Sequence, residues 1–124
     1  MNNIAPPEIV RERSITIVRL GEDYASLYEN LLGNLSSIDQ LAATVTPPRL
    51  VIDMQCVKFI GSAFIGRMVV LHKTVTARDS GRFALCDLSS FCRTAMLSTN
   101  LHELIEIFES VDEAVEAFSE DLSE

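Results

Sequence analysis

The chain has 124 residues, of which 48% are hydrophobic, and its formal net charge is −8. This length and composition predict one folded domain with a real core and exclude a disordered chain. The most apolar stretch, residues 59–71, contains Arg67 and is shorter than the roughly 18 residues that a membrane span needs, so we expect no membrane insertion. A basic face for phosphate contacts is missing from the sequence, so we expect no nucleic-acid partner.

The charges and cysteines are unevenly placed. Residues 101–124 hold nine acidic side chains and no Lys or Arg, which predicts a solvated helix face or, as an alternative, a docking surface. Cys56, Cys86 and Cys92 lack C-x-x-C spacing, which predicts reduced thiols in a cytoplasmic protein, without a disulfide framework or a zinc site. The N-terminus lacks the basic and apolar regions of a signal peptide.

Strand and helix signals alternate along the first half of the chain. Residues 14–20, SITIVRL, predict a β-strand, with residues 9–13 as a candidate partner strand and a turn at 21–23. Leucines and isoleucine at helical spacing predict a helix over residues 25–43. Residues 49–53 predict a strand with a continuous apolar centre at 50–52, which is typical of a strand buried on both faces.

The second half repeats this alternation. A helix is predicted from Ser62 to about residue 78, and a buried strand over 82–86. Ser89 or Ser90 could cap a helix that runs to about residue 97. A short strand over 105–108 and a helix over 111–118 follow, the latter opened by a capping-box pattern at residues 110–113.

This order of elements predicts the fold class. Strands that alternate with helices favour a single α/β domain with a mixed, mostly parallel sheet of four to five strands and about four helices. We expect a mobile N-terminal arm at residues 1–8, the domain at 9–119 and an acidic C-terminal tail at 120–124.

The most informative segment is residues 51–66, VIDMQCVKFIGSAFIG, in which a strand passes through a loop into a helix. In such sheets the functional edge lies at the carboxyl ends of the strands, which places Ser62 beside Ser89. A helix N-terminus is receptive to negative charge, including a phosphate. Ser62 is therefore the candidate for a chemical switch, and a plain helix cap is the alternative.

Four segments in this order resemble the STAS domain family, which includes anti-sigma factor antagonists and sulfate-transporter tails. They are residues 19–22 (RLGE), 50–66 (LVIDMQCVKFIGSAFIG), 80–85 (SGRFAL), and 100–114 with Asn-Leu-His-Glu-Leu-Ile-Glu-Ile-Phe and Ser-Val-Asp-Glu-Ala. The resemblance covers roughly residues 13 to 118. In the family's bacterial antagonists the central motif usually reads Asp-Ser-Ser-Gly, and an anti-sigma factor that is also a kinase phosphorylates the first serine.

Carried onto this chain, that serine is Ser62, while the family's Asp, second Ser and Gly fall at Gly61, Ala63 and Phe64. A partner-contacting Asp of the family falls at Tyr24, next to Asp23. The resemblance thus implies an anti-sigma factor antagonist that acts by partner switching and binds an anti-sigma factor or a related kinase-fold protein. The expected partner-binding residues are Asp23, Tyr24, Gly61, Ser62, Phe64 and Ser89.

Several alternatives stay open at this point. Phe64 is either a core anchor or an exposed contact, and Gly61 could supply a positive φ at the turn. The protein could be a constitutive STAS adaptor or scaffold subunit of a stress-signalling or lipid-transport complex, or a small-ligand sensor. A homodimer is also open.

We expect no enzyme activity, no cofactor and no metal. Ser62 and His72 would be separated by about 15 Å of helix, too far for a hydrogen bond in a catalytic triad. The sequence also lacks a P-loop, a G-x-G-x-x-G and an H-E-x-x-H motif.

Overall fold

The computed structural model describes residues 4–28 and 33–122. Over these residues strands and helices alternate, as the sequence predicts. In chain order they are β1 (Glu8–Glu12), β2 (Ile15–Arg19), β3 (Ser26–Leu27), α1 (Ser36–Thr44), β4 (Arg49–Asp53), β5 (Phe59–Ile60), α2 (Ser62–Thr76), β6 (Arg82–Cys86), α3 (Ser90–Ser98), β7 (Glu106–Phe108) and α4 (Val111–Leu122).

Five strands form the main sheet in the order β1-β2-β4-β6-β7. The edge strand β1 runs antiparallel to β2, and the other neighbours are parallel. Consecutive side chains of a strand point to opposite faces, so Leu50 and Ile52 pack on one side of β4 and Val51 on the other, all fully buried. The predicted α/β class, the mixed mostly parallel sheet and the four helices are confirmed.

The helices cover both faces of this sheet. Side chains of α1, α2 and α3 share one core cluster with one face of the central strands. The inward side chains of α4 form a second cluster with the other face. Arg67 of α2 makes a bidentate ion pair with Asp39 of α1 and so links two neighbouring helices. Over residues 4–28 and 33–122, no helix is long and apolar enough to cross a membrane.

A second, two-stranded parallel sheet pairs β3 with β5 and was not predicted. The helix expected over residues 25–43 is wrong at its start, because residues 26–27 are a strand and α1 begins only at Ser36; residues 29–32 lie outside the described part. Leu27 is indeed buried, but through the pairing of β3 with β5 and not on a helix face.

The ends of the domain differ from the expected boundaries. β1 begins at Glu8, and residues 4–7 already contact the domain: Pro7 is buried and Ile4 packs on the main core cluster. At the other end α4 continues past the expected limit of 118 to Leu122. Residues 1–3 of the expected arm and residues 123–124 of the expected tail lie outside the described part.

Candidate functional site

Ser62 lies at the start of α2, directly after the short strand β5. The extended backbone of Gly61 makes that residue the N-cap, and its carbonyl accepts the amide of Ile65 at 3.2 Å, the first bond of the helix. Ser62 is the first helical residue and is exposed. The alternative that Ser62 is the helix cap is therefore wrong, since no side chain caps this helix.

Gly61 is needed here for space and not for a positive φ. Its φ is −105°, which any residue can adopt. A Cβ atom at this position would lie 2.7 Å from Cδ1 of Tyr28. The amide of Gly61 donates to the carbonyl of Leu27 at 2.9 Å and holds the two segments together. The ring of Tyr28 thus covers the position where the family carries an acidic side chain.

Three exposed aromatic rings surround the start of α2: Tyr28, Phe59 and Phe91, which we call the aromatic patch. In the β3–β5 sheet Leu27 and Ile60 face the core and Phe59 faces outward, and Tyr28, directly after β3, is exposed as well. Phe59 contacts Phe91 of α3 edge to face, with ring centroids 5.2 Å apart. The sequence analysis missed these residues. No local sequence pattern marks them, because Phe59 and Ile60 are both apolar and β5 has only two residues.

Ser89 connects α3 to the segment before Ser62. Its side chain is the N-cap of α3, accepting the amide of Cys92 at 3.2 Å, which confirms one of the two predicted caps. Its hydroxyl also donates to the carbonyl of Lys58 at 3.1 Å. Ser89 is thereby bonded to Lys58, in the segment that leads into β5 and Ser62.

Phe64 and Tyr24, two of the expected partner contacts, are buried. Each is only 1% exposed and belongs to the main core cluster. Of the two roles open for Phe64, the structure supports the core anchor. Phe64 follows Ser62 by two residues, so the two side chains point to opposite sides of the first turn of α2. The buried ring of Tyr24 is likewise unavailable to a partner on this surface, and burial, with Asp23 nearby, raises the pKa of its hydroxyl.

Asp23, by contrast, is exposed, as the expected contact requires. One of its carboxylate oxygens accepts the amide of Ala5 at 2.9 Å, and the hydroxyl of Tyr24 donates to the carbonyl of Ala5 at 2.7 Å. The N-terminal segment therefore lies across the turn that carries Asp23.

A second group of polar side chains lies at the carboxyl ends of β2, β4 and β6. Asp53 is buried, accepts the amide of Gln55 at 3.0 Å and forms an ion pair with Arg19 at 3.4 Å. Ligand atoms of Asp53, Cys86 and Asp87 lie within 4.8 Å of one another. Burial, with both carboxylates nearby, raises the pKa of the Cys86 thiol far above its usual 9.0. Arg19 pairs with Asp53 in this group, so part of its negative charge is already balanced within the fold.

The pKa of Asp87 allows a test of the contact between the carboxylates of Asp53 and Asp87. Burial, followed by the charge of Asp53, raises the pKa of Asp87 above its ordinary 3.8. The folded state then binds this proton more tightly than the unfolded state, so the free energy of unfolding falls as pH rises from 3.8 through the raised pKa. At neutral pH the ionised Asp87 carboxylate lowers the free energy of unfolding by its full amount. Asp87→Asn is expected to raise the melting temperature at pH 7 and to change it less at pH 3.

Asparagine suits the site because residue 87 has a φ of +59°, which Asn tolerates, and because its amide can donate to Asp53. Thermal melts of both forms between pH 3 and 8 measure the effect. Asp79→Asn removes an exposed carboxylate from the turn after α2 and controls for net charge. Equal gains for the two variants at pH 7 would contradict the close contact of Asp87 with Asp53.

Comparison with known proteins gives one family and a consistent set of folds. The model of the STAS domain family matches residues 6–114. An anti-sigma-factor antagonist (STAS) domain protein from Planctomyces limnophilus has a similar structure, with a TM-score of 0.83 and 27% identity over 92% of this chain and 98% of that chain. No curated protein sequence matches the chain.

More distant structures share the fold. An anti-sigma factor antagonist from Mycobacterium paratuberculosis gives a TM-score of 0.75 at 18% identity, over 90% of this chain and 92% of that chain. The Bacillus cell fate determinant SpoIIAA in its phosphorylated form gives 0.66 at 15% identity, over 90% and 97%. Since the family model covers most of the sequence and the architecture agrees with it, the chain belongs to the STAS domain family.

Proposed function

We propose that this protein is an anti-sigma factor antagonist that acts by partner switching in the cytoplasm, with phosphorylation of Ser62 as the switch. The observation that carries the proposal is the exposed Ser62 at the first position of α2, outside the capping interaction and next to the aromatic patch. Family membership and the solved anti-sigma factor antagonists of the same fold support it. One of those relatives is described in a phosphorylated form.

The unmodified surface has the features of a protein-binding site. The aromatic patch offers large and rather rigid apolar side chains, the residue types that often dominate binding energies. Ser62 and Asp23 add neutral and charged polar groups that can orient a partner. The partner that we propose is an anti-sigma factor or a related kinase-fold protein, which must approach Ser62 closely to phosphorylate it.

A phosphate on Ser62 would change binding far more than folding. It adds about −1.5 to −2 charges at the positive end of the dipole of α2, where negative charge is favourable. The partner surface, which accepts a neutral hydroxyl and aromatic rings, would have to desolvate this anion. Loss of the complex therefore follows from the local electrostatics without any unfolding.

The site supports binding and not catalysis. His72 lies nearly three turns further along α2, and its ring contacts Phe83 at a centroid distance of 6.4 Å. It cannot act as a base for Ser62. We therefore assign the protein a regulatory role without enzyme activity.

One observation favours a second function, that of a constitutive adaptor without a phosphoswitch. The ring of Tyr28 covers Gly61, so the acidic group that precedes the phosphorylated serine in the family is replaced by an aromatic surface. A kinase that recognises the acid would bind this chain weakly. The aromatic patch would then serve permanent assembly in a larger complex.

Two variants of Ser62 separate these functions. Ser62→Ala should leave folding almost unchanged, because no capping bond is lost, and should retain the partner. Ser62→Asp should also fold normally and weaken binding by roughly tenfold or more, which is about 1.4 kcal/mol. Titration calorimetry against the purified anti-sigma factors encoded in the same genome measures both affinities, and mass spectrometry after incubation with ATP locates any phosphate.

Ser36→Asp is the matched control, since Ser36 is the exposed first residue of α1 and receives the same charge at the same helical position. It should bind like the unmodified chain. Equal affinities for Ser62→Asp and Ser62→Ala, with no phosphate on Ser62, would favour the adaptor. Failure of every anti-sigma factor to bind the unmodified chain would contradict both the switch and the proposed partner.

A further inference from the structure

The N-terminal segment, residues 4–7, is held against the turn that carries Asp23 by both polar groups of one residue. The amide of Ala5 donates to the Asp23 carboxylate and its carbonyl accepts the Tyr24 hydroxyl, at 2.9 and 2.7 Å. Ile4 packs against the main core before these bonds in the chain, and Pro7 is buried after them. The segment is therefore a bound strap and not a separate arm.

The strap covers part of the surface that a partner of this fold is proposed to use. Ala5 and Pro6 border an open cavity of about 470 Å³ at the carboxyl ends of β2 and β4, which Asp23, Arg19 and Cys56 also line. The Asp23 carboxylate is exposed, but one of its oxygens already has a donor in Ala5. A partner that contacts Asp23 must first displace that donor or bind around it.

The strap is attached to the domain by a small contact area. Ala5 and Pro6 are exposed, so between the anchors at Ile4 and Pro7 the segment buries little apolar surface. The Pro6-Pro7 pair fixes φ at two positions, which lowers the entropy lost when the segment binds. The low ordering cost favours the bound form, while the small buried area keeps that preference weak enough for exchange with a released form.

We infer that residues 4–7 are an autoinhibitory strap, which competes with the partner for the Asp23–Tyr24 turn and lowers the affinity of the resting protein. The inference rests on the proposed function for the nature of the partner. The competitor of the partner is the chain's own backbone, which binds this turn through the amide and the carbonyl of Ala5. Release of the strap exposes the second acceptor site of Asp23 and opens the cavity beside it.

Tyr24→Phe tests the strap in the full-length chain, because it removes the hydroxyl that holds Ala5 and keeps the buried ring. We expect amide hydrogen exchange at Ala5 to become roughly tenfold faster, while exchange at Val51 in the central strand stays unchanged. Affinity for the anti-sigma factor that binds the unmodified chain should rise severalfold. Ala5→Pro, which deletes the donor to Asp23 and leaves Tyr24 intact, should raise that affinity as well.

Tyr28→Phe is the matched control for the exchange measurement, since it removes the other tyrosine hydroxyl of the chain, which has no hydrogen bond to the strap among the described residues. Exchange at Ala5 should stay unchanged in this variant. Unprotected exchange of the Ala5 amide in the unmodified chain would overturn the strap itself. Faster exchange in Tyr24→Phe with unchanged affinity would overturn the inhibition and leave the proposed function standing. Absence of binding by every variant would instead contradict the proposed function, and the exchange at Ala5 would still show whether the strap is bound.

Discussion

Gly81→Ala is expected to destabilise the fold by about 3 kcal/mol or more, although it adds a single methyl group. A Cβ atom at this position would lie 1.9 Å from the carbonyl oxygen and 2.8 Å from the carbonyl carbon of Val75. Both atoms belong to the backbone of the last turn of α2, so no side chain can rotate away. The amide of Gly81 is also bound to the carbonyl of Arg78 at 2.9 Å. The chain can relieve the overlap only by moving α2 relative to β6.

Gly66→Ala is the matched control, for which we expect a stabilisation of the fold. Gly66 lies in the interior of α2, is exposed and has no atom within 4 Å of an added Cβ. This substitution should stabilise the fold by about 0.5–1 kcal/mol, because alanine is the better helix former. Urea unfolding of the two variants measures the difference. A loss below about 1 kcal/mol for Gly81→Ala would show that α2 and β6 are less tightly joined than the structure indicates.

The sequence predicts the main architecture well, because burial imposes clear patterns on it. Residues 50–52 and 83–86 are apolar runs, and the strands that contain them, β4 and β6, are central and buried on two faces. The cap of α4 is confirmed in part: the Ser110 hydroxyl accepts the amide of Glu113 at 3.2 Å, as a capping box requires. The Glu113 carboxylate, however, accepts the amide of Glu109 and not that of Ser110.

The β3–β5 sheet could not be predicted in the same way. Two-residue strands are too short to show an alternating pattern, and their stability comes from pairing between distant segments. Leu27 fits the helical spacing of the residues that follow it, so periodicity alone assigns it to the wrong element. The error extends to the site, because the aromatic patch depends on this small sheet.

The start of α2 at Ser62 was predicted from the sequence, but the neighbours around it were not. Ser62 follows from the passage of a strand into a helix at a sheet edge. The buried positions of Tyr24 and Phe64, and the cover of Tyr28 over Gly61, depend on which neighbours the fold brings together. No local pattern contains that information. The residue carried over from the family at Tyr24 is the clearest example, because its hydroxyl binds the chain's own N-terminal segment.

Phe64→Ala and Phe59→Ala should separate folding from binding within one short segment. Phe64 is 1% exposed in the main core, so its truncation should cost about 3–5 kcal/mol through lost burial and a residual cavity. Phe59 is 44% exposed and packs edge to face on Phe91. Its truncation should cost less, about 1–3 kcal/mol, from the buried part of the ring and the lost edge-to-face pair. Urea unfolding measures both values.

The loss of binding affinity should be larger for Phe59→Ala than for Phe64→Ala, the opposite of the order of their stability losses. Phe59→Ala should fold and lose roughly tenfold or more in affinity for the anti-sigma factor, because it removes the centre of the aromatic patch. Any Phe64→Ala protein that remains folded should keep most of its affinity, since the buried ring does not reach the surface. Calorimetry at a temperature where both variants are folded compares them directly. Normal binding by Phe59→Ala would remove the aromatic patch from the proposed interface, whereas a stable Phe64→Ala protein with weakened binding would restore Phe64 as a contact residue.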